Sequence, residues 1–258
     1  MGSEACCRIP PVSADYTPLG TWDTVADFKA YIAKSPTATP SPKRGLLFLY
    51  DAFGFAPQTL QGADRLAALL GDDAVVILPD LLEGTHPEFG WLPADTPEKQ
   101  ALVKAWFDSV GDYKQSKPKL LRARRAAGAR FPSVASWGVF GLCWGGKPAV
   151  LASGADNAGE GRRINVSGTA HPGALDKADA EALSVPHIVL ASKDEPADVV
   201  AQYKEILEGQ SGKTGIVETY STMNHGWMGI RAKLDVEDNR KEYERGYKQV
   251  ADFFNKHL

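Results

Sequence analysis

The chain has 258 residues, 43% of them hydrophobic and 24% charged, with a formal net charge of −3. That is the composition of a globular protein long enough to bury one large core. There is no basic footprint for nucleic acid and no apolar run of membrane-spanning length. The three cysteines cannot form a disulfide framework, and Cys6 and Cys7 are adjacent, so a reducing, cytoplasmic setting is expected. The start MGSEACCRIPP has no apolar stretch of a secretory signal. Gly2 followed by Cys6 and Cys7 suggests dual lipidation as a rival reading, but Cys6 stands where Ser or Thr is wanted, so no lipid anchor is expected.

Residues 1–44 are rich in Pro, Ser and Thr and read as an arm (1–20) followed by one or two weak strands. Trp22 to Tyr31 carries enough apolar content to pack on the body, and the proline-studded 35–42 is a loop. Gly45–Tyr50 is a continuous apolar run, as in a strand covered on both faces. A helix follows from Pro57 to Leu70, with Leu60, Ala63, Leu66, Ala67 and Leu70 at three-and-four spacing. Ala74–Leu78 is a second buried strand, and 81–97 a loop carrying His86, Phe89 and Trp91.

Helices are expected at 98–110 and 117–129, the second with Arg122, Arg124, Arg125 and Arg130 on a solvated face. Beyond a strand near 134–140 and its following helix, strands are predicted at 164–170, 187–191 and 216–220. Helices are predicted at 198–208 and 236–258. Strands alternating with helices predict one α/β domain over 1–258, with a mostly parallel sheet covered by helices on both faces. Ligands of such sheets bind beyond the carboxyl ends of the strands.

Those strand exits hold the chemistry. Gly141-Leu-Cys143-Trp-Gly145 lies between a strand and a helix, with glycines two residues either side of one reactive atom. This spacing suits a sharp turn that pushes the central side chain clear of the backbone, the nucleophile elbow with cysteine in the serine position. A helix N-terminus favours the reactive thiolate. A nucleophile–acid–histidine order is satisfied by Cys143, Asp194 and His225, each after a predicted strand. Glu195 competes with Asp194, which is preferred as the first acid after its strand. His225 would take and return the proton while the acid orients it.

The oxyanion donors would be the amides of Trp144 and Ala52, with Asp51 beside them as an auxiliary acid that either assists the thiol or shapes its own loop. His171, at another strand exit ahead of the acid, fits a pocket wall better than a base.

On YDAFG (50–54), ILPDL (77–81), GLCWGG (141–146), SKDEP (192–196) and NHGW (224–227), the chain resembles the dienelactone hydrolase family, cysteine members of the α/β-hydrolase superfamily. The opening CCRIPP and the ending FFNKHL resemble its fungal branch. The resemblance implies an α/β-hydrolase fold and hydrolysis of a lactone or enol ester through an acyl-thiol intermediate, without metal or organic cofactor. A glutamate of the founding members is matched by the shorter Asp51. One of their substrate-binding arginines is replaced by Gly84 or its neighbour, and Arg231 is the candidate for another. Phe53, Trp91, Trp144, Trp227 and Met228 suggest an apolar pocket. The expectation is therefore a monomeric or homodimeric hydrolase of small lactones or activated esters, with no nucleic-acid or membrane partner. The alternatives are a thioesterase or acyl-transfer enzyme using the same triad, and a non-catalytic binding relative.

Overall fold

The computed structural model describes residues 7–159, 161–209 and 212–258. Gly2 and Cys6 lie outside them. Eight strands form one sheet in the order β1-β2-β4-β3-β5-β6-β7-β8. They are β1 (Thr21–Val25), β2 (Phe28–Lys34), β3 (Arg44–Leu49), β4 (Ala74–Pro79), β5 (Ser136–Leu142), β6 (Ile164–Ala170), β7 (His187–Ser192) and β8 (Gly215–Tyr220). The run from β4 through β3 to β8 is parallel, and β2 and β1 add antiparallel at one edge. The weak strands expected after the arm are this edge hairpin. The sheet is the mostly parallel one that the strand–helix alternation predicts, in an α/β-hydrolase architecture.

The central strands are buried on both faces: β4 in all six residues, and β3 in five of six. That is why their sequences read as unbroken apolar runs rather than alternations. Among the described residues the strands are connected or covered by α1 (Pro57–Leu70), α2 (Pro97–Phe107), α3 (Tyr113–Arg130), α4 (Gly146–Leu151), α5 (Lys177–Ala182), α6 (Ala197–Glu208) and α7 (Glu237–His257). Helix α1 buries the five residues that its periodicity selects, starting with proline in its first turn. Helix α7 turns Tyr243, Tyr247, Val250 and Phe254 onto α1 and the sheet. Each large side chain buried this way contributes about 1.5–3 kcal/mol.

Two expectations need correction. Arg124 is not on a solvated face: it is 1% exposed and donates to the Ala158 carbonyl at 3.3 Å. Helical periodicity puts it with Leu120 and Ala127 on the buried side of α3, while Arg122 and Arg130 do face solvent and pair with Asp27 and Asp23. Helix α5 falls in a stretch where no helix was predicted; Asp176 caps it by accepting from the Ala178 amide.

The arm is tied down at several points. Asp64 on α1 accepts from Tyr16 Oη at 2.7 Å, Tyr31 Oη at 2.7 Å and the Leu19 amide at 3.0 Å. Val12 donates its amide to the Ile230 carbonyl, and Gln58 Nε2 reaches the Val12 carbonyl. The arm thereby crosses the loop that follows His225.

Candidate active site

Strand β5 ends at Leu142, and the chain turns through a short 3₁₀ segment, Cys143–Gly145, into α4. Cys143 has φ +46°, a left-handed conformation that costs a residue with a Cβ energy. The flanking glycines make the turn possible. A Cβ on Gly141 would lie 2.0 Å from the Gly145 carbonyl oxygen, and one on Gly145 would lie 2.6 Å from that of Tyr50. Gly145 donates its amide to Tyr50, and Gly173 donates to the Cys143 carbonyl, so the strained turn is held from both sides. The indole of Trp144 stacks between Tyr50 and Tyr113 and donates to the Gly111 carbonyl at 2.9 Å. It is a packed support of the turn.

Cys143 Sγ lies 3.0 Å from His225 Nε2, within hydrogen-bond reach for sulfur. The other ring nitrogen, Nδ1, is 2.7 Å from Oε1 of Glu195. The acid in contact with the imidazole is therefore Glu195, not Asp194. The reason is local. After β7 the chain turns tightly, and Asp194 is exposed with its carboxylate accepting the backbone N–H of His225 at 2.8 Å. Glu195, one methylene longer, folds back under the strand end, where the amide and hydroxyl of Ser192 both donate to it. Its side chain and that of His225 are 0% exposed. With its ring proton on Nδ1, His225 donates to Glu195, and Nε2 is then the acceptor facing the thiol.

Asp51 follows β3. Its carboxylate accepts from the Phe53 amide and the Ile230 amide, each at 2.9 Å, and so joins the loop after β3 to the loop after His225. The loop-shaping alternative is thus present in the structure. Ala52 is buried beside it. Trp144 lies in the first turn of the 3₁₀ segment, where amides have no partner within their own helix.

His171 packs against His225, the two ring centroids 5.2 Å apart at 72°. It is fully buried with φ +36°, and among the described residues neither ring nitrogen has a hydrogen-bond partner. Burial pushes its pKa well below the usual imidazole value, and the charges on His225 and Arg231 push the same way, so His171 is neutral.

The remaining pocket candidates divide. Phe53 packs edge-on to Phe89 at 5.6 Å and lines a cavity beside the loop after β3. Trp91, in the 3₁₀ turn Phe89–Trp91, packs against the core. Trp227 stacks on Tyr220 at 4.3 Å, and both it and Met228 press on Gly246 of α7. These two are core residues, buried in the main hydrophobic cluster. Arg231 is buried, with its Nε donating to the Ile9 carbonyl of the arm at 2.7 Å and its guanidinium 5.8 Å from the Phe53 ring centroid.

Known proteins place this arrangement in a family. The sequence is 35% identical over 217 residues to an uncharacterised AIM2-family protein of Schizosaccharomyces pombe, covering 83% of each chain. Its fold is similar to the crystal structure of a dienelactone hydrolase from Anabaena variabilis, with a TM-score of 0.61, 13% identity, and 94% and 98% of the two chains covered. It is also similar to a thermophilic esterase from Thermogutta terrifontis, with a TM-score of 0.58, 15% identity, and 92% and 91% covered. The family model for dienelactone hydrolases matches residues 28–258. With an elbow cysteine on a sheet of this order and a match across its whole body, the chain belongs to the dienelactone hydrolase family.

Proposed function

We propose that the protein hydrolyses small lactones or activated esters through Cys143, His225 and Glu195. The observation that carries this reading is the buried line of contacts from Cys143 Sγ to His225 Nε2 at 3.0 Å and from Nδ1 to Glu195 at 2.7 Å. His225 takes the proton from the thiol as Sγ bonds to the substrate carbonyl carbon. The oxyanion that forms is held by the amides of Ala52 and Trp144. Collapse breaks the C–O bond, and the imidazolium returns its proton to the departing alkoxide. A water then attacks the thioester, His225 taking its proton and passing it to the sulfur. Glu195 fixes the ring and stabilises its cation, while Asp51 holds the Ala52 loop in place.

The test is turnover of a p-nitrophenyl ester by wild type and by Cys143→Ala, with and without iodoacetamide. Loss of turnover on substitution and on alkylation supports the reading. Unchanged turnover in Cys143→Ala removes it, and favours a binding relative or another nucleophile.

A further inference from the structure

We infer that a cavity at the carboxyl ends of β3 and β4 binds a hydroxylated aromatic group, carried by the substrate of the site proposed above. This rests on that reading for its place in a reaction, but not for the binding itself. The cavity has a volume of about 510 Å³, within the range of about 300–1,000 Å³ that small-molecule sites occupy. It adjoins the reacting centre through one residue: Phe53, which lines it, follows Ala52 directly in the loop fixed by Asp51.

Its walls are aromatic. Phe53, Phe55 and Phe89 line it, with Phe89 56% exposed and in edge contact with Phe53. An exposed phenylalanine without a ligand forgoes the burial that such a side chain would otherwise gain. A flat aromatic group between these rings restores it, in the offset and edge-on geometries that aromatic pairs prefer.

The polar feature is Asp80, which lines the cavity and is 8% exposed. Oδ1 accepts from Tyr50 Oη at 2.5 Å, and the Tyr50 hydroxyl in turn accepts from the Leu82 amide. Burial and the Asp80 charge raise the Tyr50 pKa well above its usual value, so Tyr50 stays a donor and Oδ1 stays occupied. Among the described residues Oδ2 has no partner. A carboxylate oxygen is an acceptor only, so the ligand group that fits it is a donor.

Lys29 decides between a neutral donor and a cationic one. It also lines the cavity, but its Nζ sits 4.3 Å from the Trp22 ring centroid rather than in an ion pair with Asp80. A second cation beside it is repelled. A neutral hydroxyl on an aromatic ring meets both requirements.

Binding is measured on the full-length Cys143→Ala protein by titration calorimetry, with 2,6-dihydroxynaphthalene and its dimethyl ether as probes of equal shape. The dihydroxy probe is expected to bind at least tenfold more tightly, the scale of one hydrogen bond to a charged acceptor. Asp80→Asn keeps an oxygen for Tyr50 and turns a donor toward the cavity, so it should erase that preference. Phe89→Ala, at an exposed side chain, should weaken both probes and keep their ratio. Equal affinity of the two probes, or a preference that survives Asp80→Asn, overturns the proposal. If Asp80→Asn does not fold, the two probes with the Asp80 protein and Phe89→Ala still decide it. Esterase activity is assayed in parallel. Hydrolysis that persists in Cys143→Ala sinks the reaction reading while leaving the binding result standing, and absent probe discrimination with a Cys143-dependent esterase sinks only the cavity assignment.

Discussion

His225 and Glu195 meet at 2.7 Å through Nδ1 and Oε1, both side chains fully out of solvent, while the adjacent Asp194 accepts the main-chain N–H of His225 instead. Two consecutive acids thus hold one histidine in two ways, one by its ring and one by its backbone. The division makes their substitution effects separable. Glu195→Gln should lower kcat/KM for an aryl ester by about 10²–10⁴-fold, the range for a positioned general base that loses its orientation. Asp194→Asn keeps an oxygen for the amide and should cost less than about tenfold, one backbone hydrogen bond being worth about 1 kcal/mol. Steady-state kinetics of the two variants checks this; the reverse ranking would restore Asp194 as the orienting acid.

The acids also mark where the sequence stopped being legible. The elbow could be read because its demands are local: two glycines two residues from Cys143, between an apolar run and a small-residue helix. The choice between Asp194 and Glu195 is not local. It depends on how Ser192 receives the longer side chain and on where the loop at 224–225 arrives, neither of which spacing encodes. Trp227 and Met228 were similarly beyond reach, since which side they take depends on the close approach of α7 at Gly246. Helix α1 declared itself through periodicity. Arg124 was hidden because an arginine reads as polar even when its position on the helix is a buried one. Glu195 itself carried one usable signal, an acid immediately after a strand and within side-chain reach of the same turn.

The elbow glycines carry a steric prediction. Gly141→Ala brings a methyl group onto the Gly145 carbonyl, at the 2.0 Å separation noted above, and backbone cannot yield there without opening the turn. A loss of about 3 kcal/mol or more is expected, in the class of strain at a special backbone position. For a chain of this size that is a drop of roughly 6–12 °C in Tm. Thermal unfolding measures it, and a Tm within a degree of wild type would mean that the turn is not fixed as described.

Buried imidazoles set a pH dependence. His187 is fully buried, with Nδ1 2.6 Å from Ser167 Oγ, and burial lowers its pKa from 6.5 to about 3. His171 is lowered by burial as well. Above pH 6.5 both are neutral folded and unfolded, and neither affects stability. As pH falls below 6.5, the unfolded chain takes up protons that the folded one does not, so stability declines by about 1.4 kcal/mol per pH unit per imidazole. For His187 the decline stops near pH 3, where the folded protein protonates too. Urea unfolding at pH 7 and pH 5 should show a smaller difference in His187→Gln than in wild type. An equal difference would mean that His187 is not held neutral.

Asp64 joins the arm to α1 through Tyr16 and Leu19, and joins β2 to it through Tyr31, so one carboxylate serves three donors. Asp64→Ala leaves them without their shared acceptor and should cost about 2–3 kcal/mol. The urea midpoint should fall with an unchanged m-value. Limited proteolysis should then cut within residues 7–20 sooner than in wild type, and an unaltered cleavage rate would mean that the arm is held elsewhere.

The central claim concerns a sulfur atom, and its most direct test is to trap what that sulfur carries. Wild-type protein is mixed with p-nitrophenyl acetate, quenched in acid during the burst, digested and read by mass spectrometry. The account predicts a single acetyl group on the peptide containing Cys143, lost on treatment with hydroxylamine and absent from Cys143→Ala. An acetyl group on a serine or on any other peptide, with Cys143 unmodified while turnover proceeds, would contradict it.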